Sequence, residues 1–150
     1  MKESPQMKRL EEVLRSSRLV SGGFMGNDMR SISEVIDSDS AKVSKSGLTV
    51  EEISERMQEI TYTATAALGN FVEIDENLQA KVDEAKGWLV CPWPHPARFA
   101  KRVTTLRHIE TGHTIKWSDL NIHLIAEHAF FEGRGSDFRI EPEELIKIIF

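Results

Sequence analysis

Three prolines alternate with other residues in one short segment, residues 91–96, which reads Cys-Pro-Trp-Pro-His-Pro. Each proline fixes its own φ at about −65° and biases the residue before it towards extended backbone. The segment follows the apolar residues 88–90, which are typical of a strand. The sequence therefore predicts a stiff loop at a sheet end, in which Cys91 and His95 are held in place before any ligand arrives.

The scarce residue types are distributed unevenly along the chain. All five histidines, all three tryptophans and the single cysteine lie between Trp88 and His128. These types bind metals, carry out acid–base chemistry or anchor ligands. Chance together with an aromatic core would produce the same distribution. If the clustering has a functional origin, the second half of the chain carries the site.

Length and composition exclude several classes of protein. The 150 residues are 40% hydrophobic and 29% charged, which is typical of one globular domain rather than a disordered or fibrous chain. One cysteine cannot form an internal disulfide, and no apolar stretch approaches the ~18–20 residues of a membrane span. The first residues carry acid and proline where a signal peptide has its apolar core, so we expect a cytoplasmic protein. The net charge of −5 argues against a general polyanion binder, and a homo-oligomer stays open.

Hydrophobic periodicity predicts an α+β fold in one domain, residues 1–150. Residues 1–70 are expected to be helical, with capping boxes at Ser31/Glu34 and Thr49/Glu52, although the polar run 37–40 is expected to interrupt the second helix. Residues 71–150 are expected to form a small antiparallel sheet and a histidine-bearing helix packed together. The expected strands include a hairpin around residues 85–87 and a longer strand over 99–109.

The histidine-bearing helix is expected to start after Ser118 and to run to about Phe131. On a helical wheel its apolar residues fall on two faces, which predicts burial on both sides. His123 and His128 lie in the seams between these faces, about 140° apart, so they are not expected to chelate one ion as a His-x-x-x-His pair would.

Carboxylates are spaced at one helical turn from these histidines. Asp119 and Glu127 flank His123, and Glu132 follows His128 by four residues. Such neighbours hold an imidazole tautomer or join it in binding a metal. The alternative is a set of ordinary intrahelical pairs.

Cys91 and His95 are four residues apart, and a thiolate with an imidazole is a zinc-type ligand pair. Two further ligands would have to come from elsewhere, and His123 and His128 are the candidates. We therefore predict a metal or polar ligand site, with zinc as the candidate ion, built from the proline loop and the histidine helix. Cys91 could instead be a buried small hydrophobe.

Whether the protein is an enzyme is left open by the sequence. If the protein is an enzyme, we expect metal-assisted or histidine-based hydrolysis, with His123 and Cys91 in catalytic roles. A cysteine nucleophile with a histidine base is a further alternative. Four residues are assigned to ligand binding: Lys101 and Arg139, which would hold a small anionic substrate, and Trp117 and Asp119 at the start of the helix.

A second hypothesis rests on a basic run that contains no acidic residue. Its members are Arg98, Lys101, Arg102 and Arg107, with Trp93 and Phe99 nearby. Positive charge interleaved with aromatic rings suits a phosphate backbone and stacked bases. This pattern predicts a non-enzymatic module that binds a protein partner or single-stranded nucleic acid through a sheet face, although a solvated sheet face would look the same.

Overall fold

A computed structural model describes residues 4–17, 19–20 and 22–150. In this part of the chain the elements are α1 Pro5–Arg15, α2 Ile32–Lys45, α3 Val50–Thr65, β1 Val72–Asp75, β2 Leu78–Val90, β3 Arg98–His108, β4 Thr114–Ser118, α4 Asp119–His128 and α5 Pro142–Ile149. The strands form one antiparallel sheet in the order β1-β2-β3-β4. The predicted α+β fold is confirmed.

The helix starts follow the sequence closely. Ser31 with Glu34 and Thr49 with Glu52 form the expected reciprocal capping boxes. The polar run 37–40 does not interrupt α2, so that expectation is wrong. The helix continues because Asp39, which is fully buried, is paired with Arg139 rather than left without a partner.

The predicted hairpin around residues 85–87 is also wrong. These residues belong to β2. They lie in an irregularity of this strand between Glu84 and Trp88, where the register with β3 shifts. The proline loop is the true hairpin connection between β2 and β3, closed by a hydrogen bond of 3.0 Å from the Cys91 N–H to the Ala97 carbonyl. The prolines therefore stiffen the turn itself.

Two hydrophobic cores meet at α4. The first core lies between the sheet, α3 and α5, and receives Ile122 and Ile125. The second core joins α1, α2 and the end of the β2–β3 hairpin, and receives Leu120 and Leu124 together with Cys91. The predicted burial of this helix on both sides is confirmed.

The end of α4 differs from the expected one. The helix stops at His128 because Ala129 takes a left-handed conformation, with a φ of 51°. Glu132, three residues further on, also has a positive φ, of 68°. The next residue, Gly133, lies against the backbone of Met25, where a Cβ would come within 2.4 Å of a carbonyl oxygen. Close backbone packing therefore turns the chain here and fixes Glu132 inside the protein.

The described helices include none that is long and apolar enough to cross a membrane.

Candidate metal centre

One cysteine and three histidines converge where the proline loop meets α4. Cys91 Sγ lies 3.3 Å from His95 Nε2 and 3.5 Å from His128 Nε2, and the two Nε2 atoms are 3.1 Å apart. A ring nitrogen of His123 completes the group, and all four potential ligand atoms lie within 4.8 Å of one another. The structure thus brings together the four residues predicted as metal ligands.

The dimensions of this group suit a tetrahedral zinc site. Zinc–sulfur bonds of about 2.3 Å and zinc–nitrogen bonds of about 2.0–2.1 Å place the ligand atoms at tetrahedral edges of about 3.6 Å for S···N and about 3.4 Å for N···N. The three distances among Cys91, His95 and His128 are close to these values. These three atoms have the spacing of one face of such a tetrahedron, and a ring nitrogen of His123 lies within 4.8 Å of each of them.

The hydrogen bonding of the histidines gives a second argument. Cys91, His95 and His128 can share protons among themselves at the distances observed. His123 Nε2 is buried and has no hydrogen-bond partner in the described part of the chain. A buried nitrogen without a partner is costly. A metal ion would satisfy it together with the other three ligand atoms.

The two histidines of α4 reach one point although they lie on different sides of the helix. Their ring centroids are 5.3 Å apart, so the expectation that they could not serve one ion is wrong. Helical side chains lean towards the helix N-terminus. His128, the last residue of α4, therefore leans back over the turn that carries His123, and a wheel drawn from Cα directions misses this.

Aromatic contacts fix the orientation of the imidazoles. Trp93 stacks on His128 with ring centroids 4.1 Å apart and planes inclined by 9°, and Phe99 lies 4.7 Å from His123. Within the loop, the backbone N–H of His95 donates to the backbone carbonyl of Trp93 at 2.8 Å, which fixes the backbone that carries the His95 ring. Ring orientation is set before an ion binds, which lowers the entropy cost of binding.

The surroundings hold the imidazoles in the form that binds metals. Burial, followed by the nearby imidazoles His123 and His95, lowers the pKa of His128 to about 4. Burial and His95 likewise lower the pKa of His123. Both rings are therefore neutral near pH 7, with a lone pair available for coordination.

The thiol of Cys91 is in a different electrostatic state from a nucleophilic cysteine. Burial raises the pKa of Cys91 above its usual value, whereas nucleophilic cysteines have a lowered pKa and partial exposure. The catalytic roles of Cys91 and His123 stay predictions. The state of the thiol does not support the hypothesis of a cysteine nucleophile, because the thiol becomes a thiolate only when a cation such as a metal ion displaces its proton.

The carboxylates expected to orient the histidines lie elsewhere. Asp119 forms a two-pronged ion pair with Arg102, at 2.8 Å from Nη2 and 3.0 Å from Nε. Glu132 accepts a hydrogen bond of 2.6 Å from Asn121, because the helix ends before the one-turn spacing from His128 can apply. Glu127 is exposed and acts on His123 and His128 only through its charge.

The residues assigned to ligand binding are spread over the structure. Trp117 is fully buried and donates to the Thr61 hydroxyl at 2.9 Å. Arg139 is bound to Asp39 and Glu141 in the interior. Lys101 is exposed and lines a cleft beside the second core. Binding of an anionic substrate by these residues stays a prediction.

The basic run is divided among separate contacts. The Arg98 guanidinium lies 4.8 Å from the Trp88 ring, that of Arg107 lies 4.0 Å from the Phe71 ring, and Arg102 is paired with Asp119. Trp93 and Phe99, expected as stacking platforms for bases, instead contact the histidines. The run is therefore not one continuous positive surface with free aromatic rings.

Two features of this region were not predicted from the sequence. The sequence pattern assigned Trp93 to the stacking of bases. Its position midway between Cys91 and His95 was the available signal for a role beside the ligands. The pairing of Asn121 with Glu132 had no signal, because it depends on the left-handed turn at Ala129.

Glu132 makes the stability of the protein depend on pH. Burial raises its pKa from 4.5 to about 7, with the carboxylate of Asp137 acting in the same direction against the hydrogen bond from Asn121 and the charge of Arg139. The folded state therefore favours the protonated carboxyl. The resulting contribution of Glu132 to the free energy of unfolding is complete below pH 4.5 and is lost as the pH rises through about 7.

Glu132→Gln is accordingly expected to stabilise the protein at pH 8 by roughly 1–3 kcal/mol, at about 1.4 kcal/mol for each pH unit of the pKa difference. At pH 5 the two proteins should be about equally stable, because the native carboxyl is then protonated. Urea unfolding of both proteins at pH 5 and pH 8 measures the difference. A destabilisation by Glu132→Gln that is the same at both pH values would contradict the prediction.

Comparisons with known proteins add no family: no family model, curated protein or solved structure matches this chain.

Proposed function

We propose that the protein binds one zinc ion through Cys91, His95, His123 and His128, and that the ion ties the β2–β3 loop to α4. The observation that carries this proposal is the triangle of Cys91 Sγ and the Nε2 atoms of His95 and His128, with sides of 3.1–3.5 Å. Thiolate and imidazole ligands at tetrahedral spacing favour zinc over the hard cations, which prefer oxygen ligands.

The number of ligands supports a stabilising role in preference to hydrolysis. Catalytic zinc sites have three protein ligands and keep a fourth position for water, whereas structural sites use four. Here four side chains are available within 4.8 Å. A cytoplasmic location suits this role, because a reducing compartment keeps Cys91 reduced and therefore available for coordination.

Metal analysis of the protein purified without a histidine tag tests the proposal. The native protein is expected to contain about one zinc ion per chain, and Cys91→Ala is expected to contain almost none after dialysis, because three neutral imidazoles bind less tightly than a set with a thiolate. Replacement by Co²⁺ provides a spectroscopic readout: tetrahedral d–d bands and a sulfur-to-cobalt charge-transfer band. Cys91→Ala is expected to lose the charge-transfer band, because it has no thiolate, and to show only weak d–d bands, because it binds little metal.

His113→Ala is the matched control, because His113 lies on the exposed β3–β4 turn and contacts Glu144. This variant is expected to keep the full metal content and both sets of cobalt bands. Native protein that holds no stoichiometric metal, even after incubation with zinc, would refute the proposal.

A second candidate function is the interaction module. Trp88 and Val90 at the outer end of β2 are 59% and 43% exposed, and apolar side chains grouped at the surface are typical of protein interfaces. This observation favours a protein partner over single-stranded nucleic acid, because Arg102 is neutralised by Asp119. The zinc site would hold this hairpin in shape for such a partner.

A further inference from the structure

A cleft of about 280 Å³ lies beside the N-terminal end of α4, and none of the four proposed zinc ligands lines it. Its walls are apolar and come from separate parts of the chain: Val20, Phe24, Leu89, Leu120 and Phe138. Three charged residues also line it, namely Lys101, Glu132 and Asp137. Apolar walls with a few polar groups are the usual composition of a small-molecule site.

Glu132 is the unusual member of this lining. Its residue surface is only 5% exposed, and its backbone has a φ of 68°, which side-chain-bearing residues rarely adopt. One carboxylate oxygen, Oε2, accepts a hydrogen bond of 2.6 Å from Asn121 Nδ2. No cationic side chain forms an ion pair with this carboxyl among the residues that the structure describes. A strained backbone that places an acid inside the protein is more typical of a binding site than of a packed core.

The charges around the cleft favour a cation. Glu132 and Asp137 supply two carboxylates, whereas Lys101 supplies one ammonium group. Arg139 lies near Glu132, but its guanidinium is bound to Asp39 and Glu141 and donates to the Glu132 carbonyl rather than to the carboxylate. A cationic ligand in the cleft would therefore form an ion pair with the Glu132 carboxylate, which no cationic side chain of the described residues does.

We propose that this cleft binds a small apolar molecule carrying a protonated amine, with the amine at the Glu132 carboxyl and the apolar part against Phe24, Leu89 and Leu120. The cleft and the proposed zinc site both use α4, and Leu89 of the cleft lies two residues before Cys91. The proposal needs no metal, and its test does not depend on one.

Three cyclohexyl compounds of similar size distinguish the possible ligand charges: cyclohexylmethylamine, cyclohexylmethanol and cyclohexanecarboxylate. Titrations of the full chain at pH 8, where the Glu132 carboxyl is ionised because its pKa is about 7, give the affinity of each compound from amide chemical shifts in NMR spectra. The amine is expected to bind at least about tenfold more tightly than the alcohol, which corresponds to one charge-assisted hydrogen bond. Shifts should centre on residues around the cleft.

Two variants and a control identify the site. Glu132→Gln is expected to weaken the amine about tenfold and to leave the alcohol unchanged, because it removes the charge and keeps the shape. Val20→Trp should weaken both compounds by filling the cleft. Glu143→Gln, which removes an exposed carboxylate on α5, should change neither affinity.

The proposal is overturned if the alcohol binds as tightly as the amine, or if Glu132→Gln leaves the amine affinity unchanged. Tighter binding of the carboxylate would assign the cleft to anions held by Lys101 and would also overturn it. Absence of binding by all three compounds has the same consequence.

Discussion

Zinc added to the metal-free protein is expected to raise the melting temperature by about 10 °C. At free zinc about 1,000-fold above the dissociation constant, binding to the folded state alone contributes about 4 kcal/mol, and a chain of this size gains about 2–4 °C for each kcal/mol. The physical reason is that Cys91, His95, His123 and His128 meet only in the folded chain. Calorimetry with zinc and with a chelator measures the shift.

His128→Ala separates metal binding from packing. The variant removes one ligand and the stacking partner of Trp93, so it should be somewhat less stable without metal and should lose most of the shift with zinc. His113→Ala should keep the whole shift. Equal melting temperatures in zinc and chelator for the native protein, or an undiminished shift in His128→Ala, would contradict this prediction.

Arg139→Met is expected to cost about 3–5 kcal/mol of the free energy of unfolding, because it leaves a buried carboxylate without its partner. Arg139 Nη1 and Nη2 lie 2.5 and 3.0 Å from the two Asp39 oxygens. The Asp39 side chain is 0% exposed, and the ammonium group of Lys42 is 3.9 Å away. Urea unfolding measures the loss.

The double variant Asp39→Ala/Arg139→Met tests the reason given for this cost. Removing both charges should recover much of the stability, because replacing a buried ion pair by apolar groups is often close to neutral. Arg102→Met is the matched control: its partner Asp119 is 15% exposed, and the loss should be about 1 kcal/mol. A double variant no more stable than Arg139→Met would show that the cost lies elsewhere.

Local signals in the sequence predicted much of the fold. The capping boxes at Ser31 and Thr49 act within one helical turn, and the apolar faces of α4 follow from a short-range repeat. Long-range contacts were not predictable in this way. The continuity of α2 depends on Arg139, a hundred residues from Asp39, and the course of β2 through residues 85–87 depends on its pairing with β3.

The candidate site was predictable as a set of residues but not as a geometry. Rarity of histidine and cysteine, together with the proline spacing, selected Cys91, His95, His123 and His128. The expected contacts of Asp119 and Glu132 with the histidines were wrong, because they assumed that helical spacing alone decides contacts. Arg102 from β3 and Asn121 across the left-handed turn take these carboxylates instead.

The irregularity between Glu84 and Trp88 has a consequence for the protein in concentrated solution. β1 pairs with β2 only as far as Ala80, so in the described sheet the outer edge of β2 from Lys81 onwards has no neighbouring strand. A long, flat, free edge can recruit the same edge of another molecule and start a growing stack. Here the bulge twists the edge, and Asp83, Glu84 and Lys86 place charges along it. Both features disfavour edge-to-edge pairing between molecules along the hairpin that carries the loop of Cys91 and His95.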